Sequence, residues 1–248
     1  LQHAFLGRRG MCSDDTEHTV MVAQAYLAAA GDADRFARNL AWRMRWWFLR
    51  LPAGVGLATL RACLKLWLGF PPTRSGVWSA GNGPAMRSAI LGIVAETDVQ
   101  LAAFVTASTV MTHTDPRATQ GALIIAQAAR WGSSATLGRG DIEVLRSQLL
   151  ASARDTQLRS NMAHVFDGVA QGESPEQIAD ALGLSRGVTG YINHTVPMAV
   201  GCWLAHRQDG ENAYRAAVES AVALGGDSDT VAAITGALAG AEHGADAI

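Results

Sequence analysis

The chain has 248 residues, a formal net charge of −2 and 49% apolar residues, with three Tyr and six Phe. A chain of this size buries most of the surface its unfolded form exposes, and its length fits a single domain over 1–248. The near-neutral balance lacks the basic excess of a general polyanion binder, so no nucleic-acid partner is expected.

Abundant Ala and Leu with few aromatics favour helix over sheet. The three cysteines, Cys12, Cys63 and Cys202, are scattered without CxxC spacing. An odd number among apolar neighbours reads as buried thiols in a reducing compartment. No basic, apolar and small-residue succession of a secretory leader is visible. The expectation is a cytoplasmic protein that does not enter a membrane.

In chain order, Thr19, Val20, Val22, Ala23, Tyr26 and Leu27 form an apolar helical stripe that Gly31-Asp32 ends. A helix over Arg35 to Leu51 carries Trp42, Trp46, Trp47 and Phe48 with arginines between them. Basic residues among aromatics suit nucleic-acid stacking, but tryptophans at near-helical spacing with Arg stems alongside are read as core. Gly54 to Phe70 is the most apolar stretch; Arg61 and Lys65 interrupt it, it is too short to span a bilayer, and it is read as a buried core helix. Gly76 to Gly83 is a glycine-rich loop.

Further helices are predicted over Ala85 to Glu96, Val99 to Met111, Arg117 to Trp131 and Ile142 to Leu158, separated by Thr114-Asp115-Pro116 and Gly132-Ser133-Ser134. Ser174-Pro175-Glu176 reads as an N-cap, a first-turn proline and a supporting acid. Asn212 to Leu224 and Thr230 to Ala241 are the last predicted helices. The expected fold class is all-α, a compact multi-helix domain.

Two acidic motifs stand at opposite ends of the chain, Ser13-Asp14-Asp15-Thr16 and Gly225-Gly226-Asp227-Ser228-Asp229-Thr230, each opening a helix. Such residues are ordinary caps that complement the helix macrodipole. They are also hard oxygen donors suited to magnesium or manganese rather than zinc. Four carboxylates exceed what capping requires, and if they converge their repulsion calls for a cation. Spacing does not decide whether they converge.

SDDTEHT from Ser13 and GGDSDTVAAITGALAGA from Gly225 resemble the ADP-ribosylglycohydrolase family, which includes the dinitrogenase-reductase-activating glycohydrolases. Between them, Gly81-Asn82-Gly83-Pro84-Ala85-Met86-Arg87 resembles the family's GNG-x-x-MR loop. Thr112-His113-Thr114-Asp115-Pro116 resembles its THxxP segment, and Thr189-Gly190-Tyr191 stands where it has a glycine-tyrosine pair. The five segments keep the family's order and span nearly the whole chain.

The resemblance implies an all-α fold with two divalent cations, Mg2+ or Mn2+, in a central cleft. It implies Ser13, Asp14, Asp15, Asp227, Asp229 and Thr230 as ligands, with Ser13 in place of the commoner Thr and its hydroxyl oxygen retained. The implied activity is hydrolysis of the ribosyl bond of ADP-ribosylated substrates, arginine side chains of proteins foremost. Asp14 and Asp15 are the catalytic candidates, Asp15 as general base.

Gly81, Asn82, Gly83 and Gly226 are substrate-contact candidates, since Gly lets a backbone approach a ligand closely; a plain Asn-Gly turn is the alternative for the first three. His113 and Asp115 either face substrate or satisfy local backbone, and Tyr191 either meets the adenosine or packs in the core. The family pattern opens on a GDALG helix and a glutamate near the metals, whereas none of the twelve residues before Ser13 is acidic. The start at Leu1 rather than Met favours a longer chain in which that glutamate replaces Asp15 as base.

Two rival readings stand. Glu176 to Arg186 has the cadence of a helix-turn-helix, although its second helix would offer few cations for phosphate. A catalytically inactive ADP-ribose-binding or toxin-immunity protein would keep the sugar pocket without turnover.

Overall fold

The computed structural model describes residues 12–52, 54–134 and 142–245. Thirteen α-helices occupy them, together with one 3-10 turn, and three isolated bridges are the only β pairings among the described residues. In chain order the helices are α1 (Asp14–Ala29), α2 (Ala33–Phe48), α3 (Leu57–Trp67), α4 (Gly83–Met86), α5 (Ala89–Val94), α6 (Asp98–Val110) and α7 (Pro116–Ser133). They continue as α8 (Ile142–Ser152), α9 (Thr156–Ala170), α10 (Pro175–Ala181), α11 (Ile192–His206), α12 (Ala213–Ala223) and α13 (Ser228–His243).

Helix α7 is the shared spine. Ala122 and Ala126 pack into one apolar cluster with Val22, Phe36, Met44 and Phe104, from α1, α2 and α6. Ile124, Ile125, Ala128 and Ala129 on its other side pack with Val165, Val196, Trp203 and Ile234, from α9, α11 and α13. Small residues let neighbours approach this spine. A Cβ on Gly92 of α5 would sit 1.8 Å from the carbonyl oxygen of Ala126.

Side-chain caps fix several helix starts, that of α10 as the sequence predicts. Asp115 caps α7 by accepting the Arg117 N–H at 3.0 Å, with Pro116 as the first helical residue. Ser174 and Gln177 form a reciprocal capping box around Pro175 at α10. Each side chain accepts one of the N–H groups that a helix start leaves without a partner.

Several expected elements are corrected. Ala85 to Glu96 is two helices, because the chain turns at buried Arg87 and Ser88, where Ser88 Oγ donates to the Ala85 carbonyl at 2.9 Å. Ile142 to Leu158 is also two. Gln120 Oε1 accepts the N–H groups of Arg154 and Asp155, each at 2.7 Å, and Asp155 then caps α9.

Helix α11 went unpredicted, because a helix buried almost all round shows no periodicity. Its Pro197 offers no N–H to the Asn193 carbonyl one turn back; Asn161 Nδ2 donates to that oxygen instead, at 2.8 Å.

The helix over Gly54 to Phe70 is confined to α3 and is buried on one face only: Ala62, Cys63 and Leu66 enter the core, whereas Leu57 and Leu64 are 61% and 47% exposed. Of the three tryptophans read as core, only Trp47 is buried. The helix-turn-helix is absent, since α10 is followed by no second helix before Tyr191. There Gly187 lies at φ 106°, and Val188 pairs with Gly226, which commits the backbone elsewhere. No helix among the described residues is long and apolar enough to cross a membrane.

The α5–α7 contact is backbone against backbone, so Gly92→Ala cannot be relieved by a rotamer change. It is expected to destabilise the protein by about 3 kcal/mol or more, read as a lower midpoint in chemical unfolding. An unchanged midpoint would contradict the close approach.

Candidate active site

The two acidic motifs meet. Asp14, Asp227, Asp229 and Thr230 line one cleft of about 300 Å³ together with Asn82, His113, Gly81, Gly83 and Thr59. Asp15 faces an adjoining cavity that Asp229 also lines. The helix starts of α1 and α13 thus bring carboxylates from opposite ends of the chain to one place.

Local backbone geometry aims the second motif. Gly225 and Gly226 both lie in the left-handed region, at φ 69° and 75°. A Cβ on Gly226 would stand 2.1 Å from the Val188 carbonyl oxygen. That oxygen accepts the Asp227 N–H at 2.7 Å, which fixes the start of α13. Gly226 therefore shapes the turn and does not line the cleft.

Asn82 connects the central loop to the acids. Its Nδ2 donates to Asp227 Oδ2 at 2.6 Å and to Thr195 Oγ1 at 3.1 Å, while its backbone N–H bonds the Gly190 carbonyl. The side-chain amide is thereby committed to holding a carboxylate. Gly81 and Gly83 serve a different neighbour: a Cβ on either would come within 3.0 or 3.2 Å of the His113 imidazole.

His113 is 3% exposed, and burial with the Arg87 charge lowers its pKa to about 3, so it is neutral. Its Nδ1 lies 2.8 Å from Thr112 Oγ1, which accepts a hydrogen bond from Arg87 Nη2 at 2.7 Å. The Thr112 hydroxyl is 3.5 Å from the Thr109 carbonyl, too far for a good bond. The direction of the Nδ1–Thr112 bond follows the imidazole tautomer, and Nε2 lies beside the cleft glycines.

Behind His113 sits a group to which sequence reading gave no role. Arg87 is 1% exposed and donates to Ser108, Thr112 and the ring nitrogen Nδ1 of His18, without a carboxylate in contact. Burial lowers its pKa to about 10, which leaves it cationic, and Asp14 is among the charges that counter this. His18 is wholly buried and neutral, its pKa held well below the ordinary range by burial and by Arg87. The signal for Arg87 was its place in the MR pair, but no pattern reveals which Arg turns inward.

The acids carry the strain expected of like charges in a confined space. Burial, then Asp15, with Asp229 and Asp227 further down, raises Asp14 to about 6. Burial and Asp229 raise Asp15, opposed by hydrogen bonds from Ser13 and Thr230. Asp227 is raised by burial and by Asp229, against the Asn82 bond. Asp15 is 2% exposed; its Oδ2 accepts from Ser13 Oγ at 2.6 Å, but its buried Oδ1 has no hydrogen-bond partner.

Among the described residues no group of three or more Asp, Glu, His or Cys side chains closes into a cation cage. The donors flank the cleft instead. Their hard-oxygen chemistry, their mutual repulsion and the orphan oxygen of Asp15 fit a divalent cation.

Asp115 and Tyr191 lie outside this cleft. Arg117 donates to Asp115 through Nε at 3.0 Å and Nη2 at 2.6 Å, and through Nη1 to the Tyr191 hydroxyl at 2.9 Å. That hydroxyl also meets Gln157 and Asn193. Both residues brace the wall formed by α7 and α11.

Asp14 sets a pH dependence in metal-free protein. A folded pKa raised above the unfolded value gives stability fully present below the ordinary 3.8 and lost as pH rises through about 6. Asn stays neutral throughout. Discounted for partial solvent screening, Asp14→Asn is expected to raise the melting temperature at about pH 8 by about 2–4 °C, the shift of about 1 kcal/mol in a chain this size. A lower value there, by differential scanning fluorimetry without metal, would refute the repulsion.

Known proteins resemble this chain in sequence, and a solved structure resembles it in fold. The family model described as ADP-ribosylglycohydrolase matches residues 2–248. An uncharacterized protein of Archaeoglobus fulgidus is 30% identical over 237 residues, covering 94% of this chain and 72% of that protein. The human protein named ADP-ribosylhydrolase ARH3 is 28% identical over 209 residues, which is 72% of this chain and 55% of the human one. A solved structure described as an ADP-ribosylglycohydrolase-related protein complex superposes with a TM-score of 0.68 at 26% identity, over 98% of this chain and 76% of that one.

Proposed function

The chain belongs to the ADP-ribosylglycohydrolase family, and we propose that it hydrolyses the ribosyl bond joining ADP-ribose to a protein side chain, arginine foremost, with Mg2+ or Mn2+ at the cleft. The observation that carries this reading is the meeting of Asp14 and Asp15 with Asp227 and Asp229 at one partly buried place. Acids that raise one another's pKa would be a poor way to cap two helices.

Ser13, Asp14, Asp15, Asp227, Asp229 and Thr230 would hold the ions. When bound, a cation pair contributes positive charge that holds the ribose diol and acidifies a water. The rest falls to the chain. Cleavage at the anomeric carbon builds oxocarbenium-like positive charge, which neighbouring carboxylates favour. Asp15 is the carboxylate assigned to accept the proton of the attacking water. Neutral His113 presents its imidazole to the cleft as a hydrogen-bond partner for substrate. Asn82 keeps Asp227 from swinging away.

Cytoplasmic residence suits three free cysteines, two of them buried. Supporting the activity are the family and the similarity to a human protein named as an ADP-ribosylhydrolase.

The test is release of free ADP-ribose from an arginine-ADP-ribosylated protein, with and without magnesium. Asp15→Ala and Asp227→Ala should each slow release by about 100-fold or more while circular dichroism stays that of the folded protein. Full activity in both variants refutes the mechanism. Tight ADP-ribose binding with no release over hours would instead identify an inactive binder.

A further inference from the structure

The cleft uses only the first turn of α1. Farther along, a groove of about 380 Å³ separates α1 from α2, walled by Trp42, Trp46 and Trp47, with Arg43 and Arg50 also lining it. Trp42 and Trp46 are 57% and 47% exposed. Their rings stand edge to face with centroids 5.5 Å apart, and Trp67 follows 6.0 Å beyond Trp46. Hydrogen bonds hold parts of this array in place: Trp47 Nε1 donates to Glu17 at 2.6 Å, and Trp67 Nε1 to the Arg45 carbonyl at 3.3 Å.

Charge is uneven along the chain in a way the average conceals, and two of the cations concerned, Arg43 and Arg50, line the groove. From Ala33 to Arg74 there are eight Lys and Arg against one acid, Asp34. Among the described residues the ion pairs engage none of these eight. Arg43 donates from Nη1 to Gln24 at 3.0 Å, but its buried Nε has no partner. Glu17 is the one carboxylate in the groove wall, and its Oε2 accepts from Trp47.

We infer that the α1–α2 groove binds single-stranded nucleic acid, with bases stacked on Trp42 and Trp46 and phosphates paired with Arg43 and Arg50. Aromatic platforms beside unpaired cations match the two features every nucleotide of a strand presents, a π face and a phosphate. A duplex keeps its bases stacked on one another and offers the phosphates alone. A bilayer takes apolar side chains that enter its acyl boundary, whereas these rings wall a concavity. The site depends on neither the metal nor the hydrolysis proposed for the cleft.

The experiment is fluorescence anisotropy of a labelled oligothymidylate of about 12 nucleotides, within the site sizes common for strand-binding grooves, titrated with the full chain. Binding is expected at low salt, weakening with a log–log salt slope of about −0.7 per phosphate contact, and tighter than for a duplex of equal length. Trp42→Ala combined with Trp46→Ala should weaken it by about tenfold or more. Arg50→Gln, at an exposed position, should make the salt slope shallower. Matching unfolding curves establish that the variants are folded; if the double variant is not, Arg50→Gln decides. No binding at low salt, equal affinity for the duplex, or variants that bind as wild type would each overturn the proposal. Adsorption to phosphatidylserine vesicles without oligonucleotide affinity would overturn it in favour of a membrane face.

Discussion

Like charges confined together are the constraint around which this molecule is organised. Asp14, Asp15, Asp227 and Asp229 come from two helix starts, and each start alone would welcome its acids through the macrodipole. Brought to one partly buried place, the same acids lose solvent and work against one another, and burial first, then its acidic neighbours, raises the Asp14 carboxyl to about 6. The fold sustains this because the apolar clusters on both sides of α7 supply the stability that the cleft withholds. Sites that store such repulsion are where a cation or a proton gains most by binding.

Arg87 is the counterweight within the protein. A guanidinium with no contacting carboxylate is costly to bury, and here it is surrounded by neutral acceptors: a hydroxyl, a carbonyl, a second hydroxyl and an imidazole. Burial first, and its charge second, keep His113 and His18 unprotonated. Burial and one buried cation thus hold the facing imidazole neutral. The break between α4 and α5 follows from the same residue, since the chain turns where Arg87 points inward.

The surface obeys a different logic from the core. A net charge of −2 averages over a segment with eight cations and one acid and a remainder rich in acids. Averages govern solubility, whereas recognition depends on local fields within about a Debye length. Trp42 and Trp46 make the same point for hydrophobicity. Their helical spacing fits a buried stripe, yet α2 buries the face carrying Phe36, Leu40, Met44 and Trp47 and leaves these two outward.

The sequence by itself determined the helical class, most helix starts and the family, because caps, prolines and motif order are local properties of the chain. Ser174 could be read as a cap from its neighbours alone. Tertiary structure decided the rest. It brought Asp14 and Asp227 together, gave Asn82 the task of holding a carboxylate, and turned Arg87 inward. It also moved Asp115 and Tyr191 out of the cleft into an Arg117 network. Helix α11 shows the reason from the other side. A segment packed on every face carries no periodicity, so its existence follows from neighbours contributed by distant parts of the chain. Pairings across long sequence separations are set by how helices pack, which no local pattern encodes.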